Sequence, residues 1–195
     1  ALKGDNLGYF SPCGYVAPSF YDNRGSGFLK SFTAGFMTTC GLTAVGSPCT
    51  DNGEELSLHG TISNTPCENY SYEETETEIT VKAQVRDAAI FSHQLVLERE
   101  YRISKTQNMV LLCDKIKNTG SSETPLELLY HCNIGYPLLS ENTVPDIPAV
   151  MTEPRNDHAK KGISDCFKME KPQRGYEEMC YYHTLSRGRV SVYNP

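Results

Sequence analysis

Alternation of apolar and polar residues, the pattern of half-buried β-strands, dominates the middle of the chain. In the segment TEITVKAQV, the apolar residues Ile79, Val81 and Val85 alternate with polar ones. The segments AIFSHQLVLEREYRI, MVLLCDKIKNTG and TPLELLYHCNIG follow, each long enough for a strand. Short turns separate the four segments. No segment shows apolar residues at a sustained helical spacing. The pattern therefore predicts an antiparallel meander.

The segment AIFSHQLVLEREYRI is predicted to form one unbroken strand. On such a strand Phe91, His93, Leu95 and Leu97 share a face, because side chains alternate between the two faces of a sheet. His93 is accordingly interpreted as a core or edge histidine with its hydrogen bonds satisfied.

The flanks of the meander are less regular. Residues 11–53 are rich in Gly, Pro, Ser and Thr, with short apolar islands such as GFLKSF. Residues 140–180 carry several prolines and many charges, which predicts a long, partly irregular connection. The chain closes with GRVSVYNP, a predicted strand stopped by Asn-Pro. We expect residues 1–195 to form a single domain, or part of one.

Composition excludes several classes of partner. The net charge is −6 and no dense stripe of Lys and Arg occurs, so we expect no nucleic-acid partner. The apolar runs are too short to span a bilayer, so we expect no membrane partner. No basic-then-apolar leader opens the sequence, and we predict a cytoplasmic protein.

The eight cysteines show neither CxxC spacing nor a Cys/His cluster of the zinc type. Their even number would permit four disulfides in a secreted chain. Cys113 and Cys132 lie inside apolar strand patterns, however, and a chain of this length can bury a core without covalent cross-links. We therefore interpret the cysteines as buried free thiols.

The stretch LLYHCNIGYPLL, residues 128–139, interrupts an apolar strand with polar residues. Alternation places Leu126, Leu128, Tyr130, Cys132 and Ile134 on one face, interpreted as the core face. Glu127, Leu129, His131 and Asn133 lie on the other. That second face is either an ordinary solvent-facing surface or the floor of an active site, and the spacing alone leaves both open.

Three other histidines lie in segments of different character. In ELSLHGTISNTP, Leu56 and Leu58 are predicted to face the core and His59 to face away, while Gly60 allows the close approach of backbone or ligand. His183, in MCYYHTL, is a candidate ligand contact on another strand. His158 lies beside two lysines and is interpreted as a surface loop residue.

Four ordered segments resemble the aldose 1-epimerase-like proteins of the galactose mutarotase superfamily. They are NMVLLCDKIKNTGSSETPLELLYHCNIGYPLL, ELSLHGTISNTPCENY, GFLKSFTAGFMTTCGL and LGYFSPCGYVAPSFY, and the last two resemble a branch described only as a domain of unknown function. The resemblance implies an all-β fold, an antiparallel β-supersandwich with a sugar groove on a concave sheet face.

The resemblance also implies roles. His131 matches the histidine that acts as general acid toward the ring oxygen, so it is the expected catalytic residue. His59 matches a histidine that hydrogen-bonds the sugar. Asn133, on the same face as His131, is a further expected sugar contact, and His183 is one by its place in the sequence, not by the resemblance. Aldose 1-epimerases exchange sugar anomers by acid/base ring opening, so we expect a small-molecule sugar as partner, no metal and no organic cofactor.

The sequence departs from the family pattern at both ends. Family members usually supply the basic Glu from a strand near the C-terminus, which no segment of this chain matches. We therefore expect the isomerase activity in a longer parent protein. Within this chain, Glu127, on the same face as His131, is the fallback candidate for the base. The alternatives are a non-catalytic carbohydrate-binding protein and an inactive fragment. Exposed sheet edges are expected to pair with another chain or with a second copy in a homo-oligomer.

Overall fold

A computed structural model of the chain describes residues 5–15, 21–22 and 24–195. Residues 16–20, part of the segment LGYFSPCGYVAPSFY, lie outside the described residues. The strands are β1 (Tyr9–Phe10), β2 (Ala34–Gly35), β3 (Met37–Leu42), β4 (Cys49–Asp51), β5 (Glu54–Leu56), β6 (Glu68–Glu74), β7 (Glu78–Ala88), β8 (Gln94–Ser104), β9 (Val110–Asn118), β10 (Glu127–Cys132), β11 (Val144–Asp146), β12 (Ala149–Pro154), β13 (Tyr181–Leu185) and β14 (Ser191–Tyr193).

In the part of the chain that the structure describes, helical structure is limited to short elements. One α-helix, α1 (Asp157–Lys160), begins after Asn156, whose side chain accepts a hydrogen bond from the Ala159 amide. Single turns of 3-10 helix cover Pro12–Tyr15, Gly27–Lys30, Ile62–Asn64 and Ile163–Asp165. Within the described residues no helix is long and apolar enough to cross a membrane.

The chain forms two compact units, one of residues 10–132 and one of residues 1–9 and 133–195. In the first unit, β6, β7, β8 and β9 form a four-stranded antiparallel sheet in that order. The predicted meander is therefore confirmed for β7, β8 and β9. The organisation of the chain as a single domain stays a prediction.

The fourth predicted strand does not join the meander. β10 pairs instead with β3, antiparallel, with His131 opposite Thr38 and Leu128 opposite Gly41. The connection from β9, residues 119–126, contains Pro125 and is longer than a tight hairpin, so it lets the chain leave the sheet. β3 is a buried strand from the Gly-rich flank.

The predicted strand over residues 89–103 is too long at its start. β8 begins at Gln94, which pairs with Ala88 of β7, and the chain reverses through residues 89–93. Phe91 has a positive φ of 65° and is fully exposed, so it does not share a face with Leu95 and Leu97. The segment contains no Gly, Pro, Asn or Asp to mark the turn, which is why alternation alone missed it.

The core of this unit lies where the four-stranded sheet meets β3. Leu42, Ile62, Leu95 and Leu97 are buried together, with Val85, Ile116 and Leu128 packed against them. Burial of these side chains is the main stabilising contribution in the unit. Because Leu42 lies in β3 and Leu128 in β10, the same core fixes the strand pair that carries His131.

The cysteine prediction is half right. All eight are free thiols, but only Cys40 is buried. Cys49, Cys67, Cys113 and Cys132 are exposed, and the other three are partly exposed. Cys113 lies on β9, a strand whose side chains are mostly exposed, so apolar neighbours in the sequence do not imply burial there.

The second unit is built from two strand pairs. β11 pairs with β14 and β12 with β13, both antiparallel, so the strand predicted in GRVSVYNP is confirmed as β14. The Asn194 side chain donates to the Pro137 carbonyl and to Ser140 Oγ, each over 2.8 Å. These bonds attach the end of the chain to residues 137–140.

Candidate functional site

Four aromatic side chains form a closed ring in the unit of residues 10–132. The ring centroids of Phe28 and Phe32 are 4.9 Å apart, those of Phe28 and His59 5.1 Å, and those of Phe32 and His131 5.4 Å. His59 and His131 close the ring, with centroids 5.4 Å apart and planes at 81°. We call these four residues the aromatic cluster. It brings together the two histidines that the sequence placed on separate segments.

His131 lies near the end of β10, in register with Thr38 of β3. Thr38 is buried, and its hydroxyl donates to the Ala34 carbonyl over 2.8 Å. His131 itself is only partly buried. The strand pair thus presents one imidazole beside Phe32 with part of its surface open to solvent, as a proton donor to a ligand requires.

His59 is not on a strand, contrary to the alternation seen in ELSLHG. β5 ends at Leu56, and His59 lies in the following turn with a positive φ of 58°. Histidine is one of the few non-glycine residues that adopt this conformation, and such backbone is often found at functional sites. Leu56 and Leu58 are only partly buried, so they do not form the predicted core face.

Backbone groups fix the orientation of the His59 ring. The Gly46 amide donates to His59 Nδ1 over 3.1 Å, and the His59 amide donates to the Gly46 carbonyl over 3.0 Å. An Nδ1 that accepts an N–H bond carries no proton, so the neutral ring is protonated at Nε2. His59 is therefore arranged to donate a hydrogen bond from Nε2.

The glycine after His59 allows the backbone contact that the sequence suggested. A Cβ on Gly60 would lie 2.3 Å from the Gly41 carbonyl oxygen and 2.7 Å from that of Ala44. Gly41 in turn donates its amide to the His59 carbonyl over 3.1 Å. The close approach therefore ties the histidine turn directly to β3.

Phe28 and Phe32 were not predicted as site residues. Phe28 is only 2% exposed and lies on the 3-10 helix Gly27–Lys30, and Phe32 follows one turn later. The island GFLKSF showed two phenylalanines four positions apart, but nothing in the sequence linked them to either histidine. Their rings form an apolar wall that holds both imidazoles in place.

The two faces of β10 differ from the prediction. Leu128 packs on the core, but Leu126 and Tyr130 are 52% and 43% exposed and Cys132 is also exposed, so this is not a continuous core face. The Tyr130 hydroxyl donates to Asp114 Oδ2 on β9 over 2.8 Å. Burial and this hydrogen bond raise the pKa of Tyr130. In addition to the core contact of Leu128, β10 is thus joined to the four-stranded sheet by the hydrogen bond between Tyr130 and Asp114.

Glu127 accepts a hydrogen bond at Oε2 from the Val45 amide over 2.8 Å. Val45 precedes Gly46, the residue that fixes the His59 ring. The carboxylate of Glu127 therefore holds the loop of residues 43–46, and the geometry supports a structural role rather than that of a base.

Asn133 and His183 belong to the other compact unit. Asn133 is buried, and its carbonyl accepts the Tyr9 amide over 2.9 Å. His183 lies on β13, with Nδ1 2.9 Å from Thr152 Oγ1 and its ring beside Phe167. Their roles as sugar contacts stay predictions.

The two remaining histidines have hydrogen-bonded side chains outside the aromatic cluster. His93 lies in the turn before β8, with Nε2 3.2 Å from Asp87 Oδ1, as expected of a satisfied edge histidine. His158 lies on α1 beside Glu177. Among the described residues no group of three or more His, Cys, Asp or Glu side chains could hold a metal ion.

Comparisons with known proteins agree on the family and the fold. A family model described as "Domain of unknown function (DUF4432)" matches residues 1–193. No curated protein matches the chain. A crystal structure from Klebsiella pneumoniae subsp. pneumoniae MGH 78578, described as "a putative aldose 1-epimerase", matches with a TM-score of 0.86 at 26% identity.

The match covers 98% of this chain and 53% of that solved structure, so the chain spans about half the length of its relative. The predicted fold class is confirmed: the protein is all-β, its main sheets are antiparallel, and its fold matches that of this solved structure.

Proposed function

This chain belongs to the DUF4432 family, and from that premise we propose that its protein is an aldose 1-epimerase-like isomerase that interconverts the anomers of a sugar. The proposal rests chiefly on the aromatic cluster, which sets the imidazoles of His59 and His131 edge to face at 5.4 Å. The likeness to the solved structure described as "a putative aldose 1-epimerase" supports the same reaction class.

Anomer exchange needs two proton transfers on ring opening, the same two reversed on ring closure, and no redox step. A base removes the proton of the C1 hydroxyl while an acid protonates the ring oxygen, so the C1–O5 bond breaks and an open-chain aldehyde forms. Rotation about C1–C2 presents the other face of the carbonyl. The O5 hydroxyl then returns its proton and adds to C1, and the base returns a proton to the C1 oxygen.

His131 is assigned as the general acid toward the ring oxygen. Imidazole titrates near neutral pH, so it both gives and recovers a proton within one reaction cycle. The ring is partly open to solvent and is supported by Phe32 on one side and His59 on the other. Both contacts limit ring rotation, which favours transfer from a fixed position.

His59 is assigned as a hydrogen-bond donor to a sugar oxygen beside the reacting centre. Its Nδ1 is occupied by the Gly46 amide, so Nε2 carries the proton that a sugar oxygen can accept. A donor held by backbone groups needs little reorganisation when charge develops on that oxygen. Asn133 and His183 are proposed as further contacts in the full protein.

The base is proposed to be a carboxylate outside the aromatic cluster. Glu127 is already bonded to the Val45 amide, which argues against it. The solved relative is about twice as long as this chain, and the family resemblance expects the carboxylate on a later strand. Activity is accordingly proposed for the full-length protein.

The proposal is tested by following anomer exchange of freshly dissolved α-D-glucose and α-D-galactose by polarimetry, with the full-length protein and its His131→Ala variant. We expect the native protein to accelerate exchange and the variant to lose about 10²- to 10⁴-fold, the usual contribution of a general acid. Equal rates for the two proteins would refute the assignment of His131. Sugar binding without any acceleration by the native protein would favour a non-catalytic carbohydrate-binding protein.

A further inference from the structure

Asp87, near the end of β7, is a carboxylate surrounded by donors. It is only 6% exposed. Its Oδ2 accepts from the Leu42 amide over 3.1 Å and the Thr43 hydroxyl over 3.5 Å. Its Oδ1 accepts from the Thr61 hydroxyl, and His93 Nε2 lies at the same 3.2 Å distance. A buried carboxylate without these partners would be strongly unfavourable, so the four groups and Asp87 form one structural unit.

Three of the four groups around Asp87, from Leu42, Thr43 and Thr61, come from the two segments that hold His59. Leu42 and Thr43 begin the loop that leads to Gly46, whose amide and carbonyl both bond to His59. Thr61 follows His59 by two residues, and its amide donates to the Gly41 carbonyl over 3.2 Å. Asp87, on β7, therefore bonds both to the segment that leads to Gly46 and to the segment that follows His59, the two segments whose contact orients the imidazole.

We propose that Asp87 is a positioning residue for His59: it joins the loop of residues 42–46 to the turn of residues 57–61 and thereby fixes the Nε2-protonated orientation of the imidazole. Asp87 itself does not touch the sugar and acts through His59. The kinetic consequence rests on the proposed epimerase function, whereas the effect on the imidazole does not.

The chemistry of the side chain explains why a carboxylate is needed. An ionised carboxylate only accepts hydrogen bonds, and each of its oxygens here faces donors. An Asn at this position would direct an NH₂ group at the donors on one of the two sides. A charged acceptor also makes stronger bonds than a neutral one, which suits a link between two loops with little regular structure.

A matched pair of variants at Thr61 isolates one of the links. Thr61→Val removes the hydroxyl that donates to Asp87 and keeps the shape of the side chain, while Thr61→Ser keeps the hydroxyl. The Thr61 side chain makes no cap bond to the 3-10 helix that follows it, so helix capping is unaffected. The backbone bonds of residue 61 also remain available in both variants.

The direct readout is the nitrogen-15 NMR spectrum of the imidazoles, assigned with a His59→Gln variant. In the native chain we expect His59 to show an unprotonated Nδ1 and a protonated Nε2. Thr61→Val should shift the His59 nitrogens toward the averaged values of a mobile ring with exchanging tautomers, and Thr61→Ser should leave them unchanged. Asp87→Asn should reproduce the effect of Thr61→Val.

His93→Gln is the matched control. It replaces the imidazole that contacts Asp87 from the turn of residues 89–93, which carries neither His59 nor Gly46. We expect native His59 signals in this variant. If His93→Gln and Thr61→Val shift the His59 nitrogens equally, or if neither Thr61→Val nor Asp87→Asn shifts them, the positioning role of Asp87 is refuted.

The kinetic arm uses the full-length protein. Thr61→Val and Asp87→Asn should lower kcat for anomer exchange about 10- to 100-fold with KM changed little. A loss of about this size is typical when a hydrogen-bond partner that orients a metal ligand is removed, and Asp87 has the analogous orienting role here. Thr61→Ser and His93→Gln should retain kcat. A native protein without exchange activity would overturn the proposed function and leave the NMR result as the test of Asp87. Shifted His59 nitrogens with unchanged kcat would refute the catalytic importance of the position.

Discussion

The imidazoles of His59 and His131 lie edge to face, with ring centroids 5.4 Å apart and planes inclined at 81°. One imidazole comes from a turn with left-handed backbone and the other from a paired strand. Phe28 and Phe32 complete the aromatic cluster around them. Two histidines with different supports can therefore take the two different roles proposed for them, a fixed hydrogen-bond donor and a general acid.

Variants of Glu127 test whether its carboxylate is a base or a structural acceptor. Glu127→Gln keeps an oxygen that can accept the Val45 amide, and the bond lies at an exposed position with a single donor, so we expect anomer exchange within about twofold of the native rate. Glu127→Ala leaves that amide without this acceptor and should disturb the loop that leads to Gly46. A loss of about 10³-fold in Glu127→Gln, measured by polarimetry, would instead identify a general base.

Replacement of Phe32 tests the support of the His131 ring. Phe32→Leu removes the aromatic edge contact and keeps an apolar side chain. We expect the rate of anomer exchange to fall about tenfold, because the His131 ring is then held less firmly in its reacting position. The free energy of unfolding should fall by less than about 1.5 kcal/mol. Phe36→Leu is the control, because Phe36 is 57% exposed and lies outside the aromatic cluster. Equal kinetic effects of both variants would contradict the supporting role.

A buried ion pair joins two strands of the four-stranded sheet. Arg99 on β8 donates to both carboxylate oxygens of Asp114 on β9, over 2.8 and 2.6 Å, and both side chains are largely buried. Asp114→Asn leaves the guanidinium without its counter-charge, so we expect the free energy of unfolding to fall by about 3–5 kcal/mol in urea titrations. A change under about 1 kcal/mol would show that water or another acid compensates.

Cys40 should differ from the other cysteines in reactivity. Burial raises the pKa of its thiol to about 11, from an ordinary value of 9.0. The thiolate is the reactive form, so at pH 8 we expect a thiol reagent to modify the exposed Cys49, Cys67, Cys113 and Cys132 and to spare Cys40 until the chain unfolds. Mapping the modified residues by mass spectrometry checks this. Rapid labelling of Cys40 in the folded protein would contradict its burial in β3.

The same shift makes a prediction for stability against pH. A thiol whose pKa is raised by folding gives its full contribution to the free energy of unfolding below pH 9. That contribution is lost as the pH rises from about 9 to about 11, because the unfolded thiol ionises first. The difference in unfolding free energy between the native chain and Cys40→Ala, measured in urea, should therefore shrink across this window. A constant difference would contradict the raised pKa.

The parts of the fold that sequence reasoning predicted are those with local signals. β7 shows regular alternation, β9 is an apolar-rich run that ends at an Asn-Thr-Gly turn, and β14 ends at an Asn-Pro stop. The pairing of β10 with β3 joins segments about ninety residues apart, and no periodicity encodes the partner of a strand. The turn before β8 has no Gly, Pro, Asn or Asp, so the alternation continues through it without a break.

The candidate site shows the same limit. His131 and His59 were found through family resemblance, and the structure brings both into the aromatic cluster. Phe28 and Phe32 could not be assigned to it from the sequence, because a ring contact depends on tertiary packing. Asp87 is one acid within a regular strand, and only its surroundings, four groups from three segments, distinguish it.

The central claim is that His59 and His131 act together on one sugar. The most direct measurement is the rate of anomer exchange, by two-dimensional exchange NMR, for the full-length protein, His59→Gln, His131→Gln and the double variant. If the histidines act as a unit, the exchange rate of the double variant should be about that of the slower single variant, because the effects of substitutions within one catalytic unit are strongly non-additive. Losses that multiply in the double variant, or rates in all four proteins equal to that of buffer, would contradict the account.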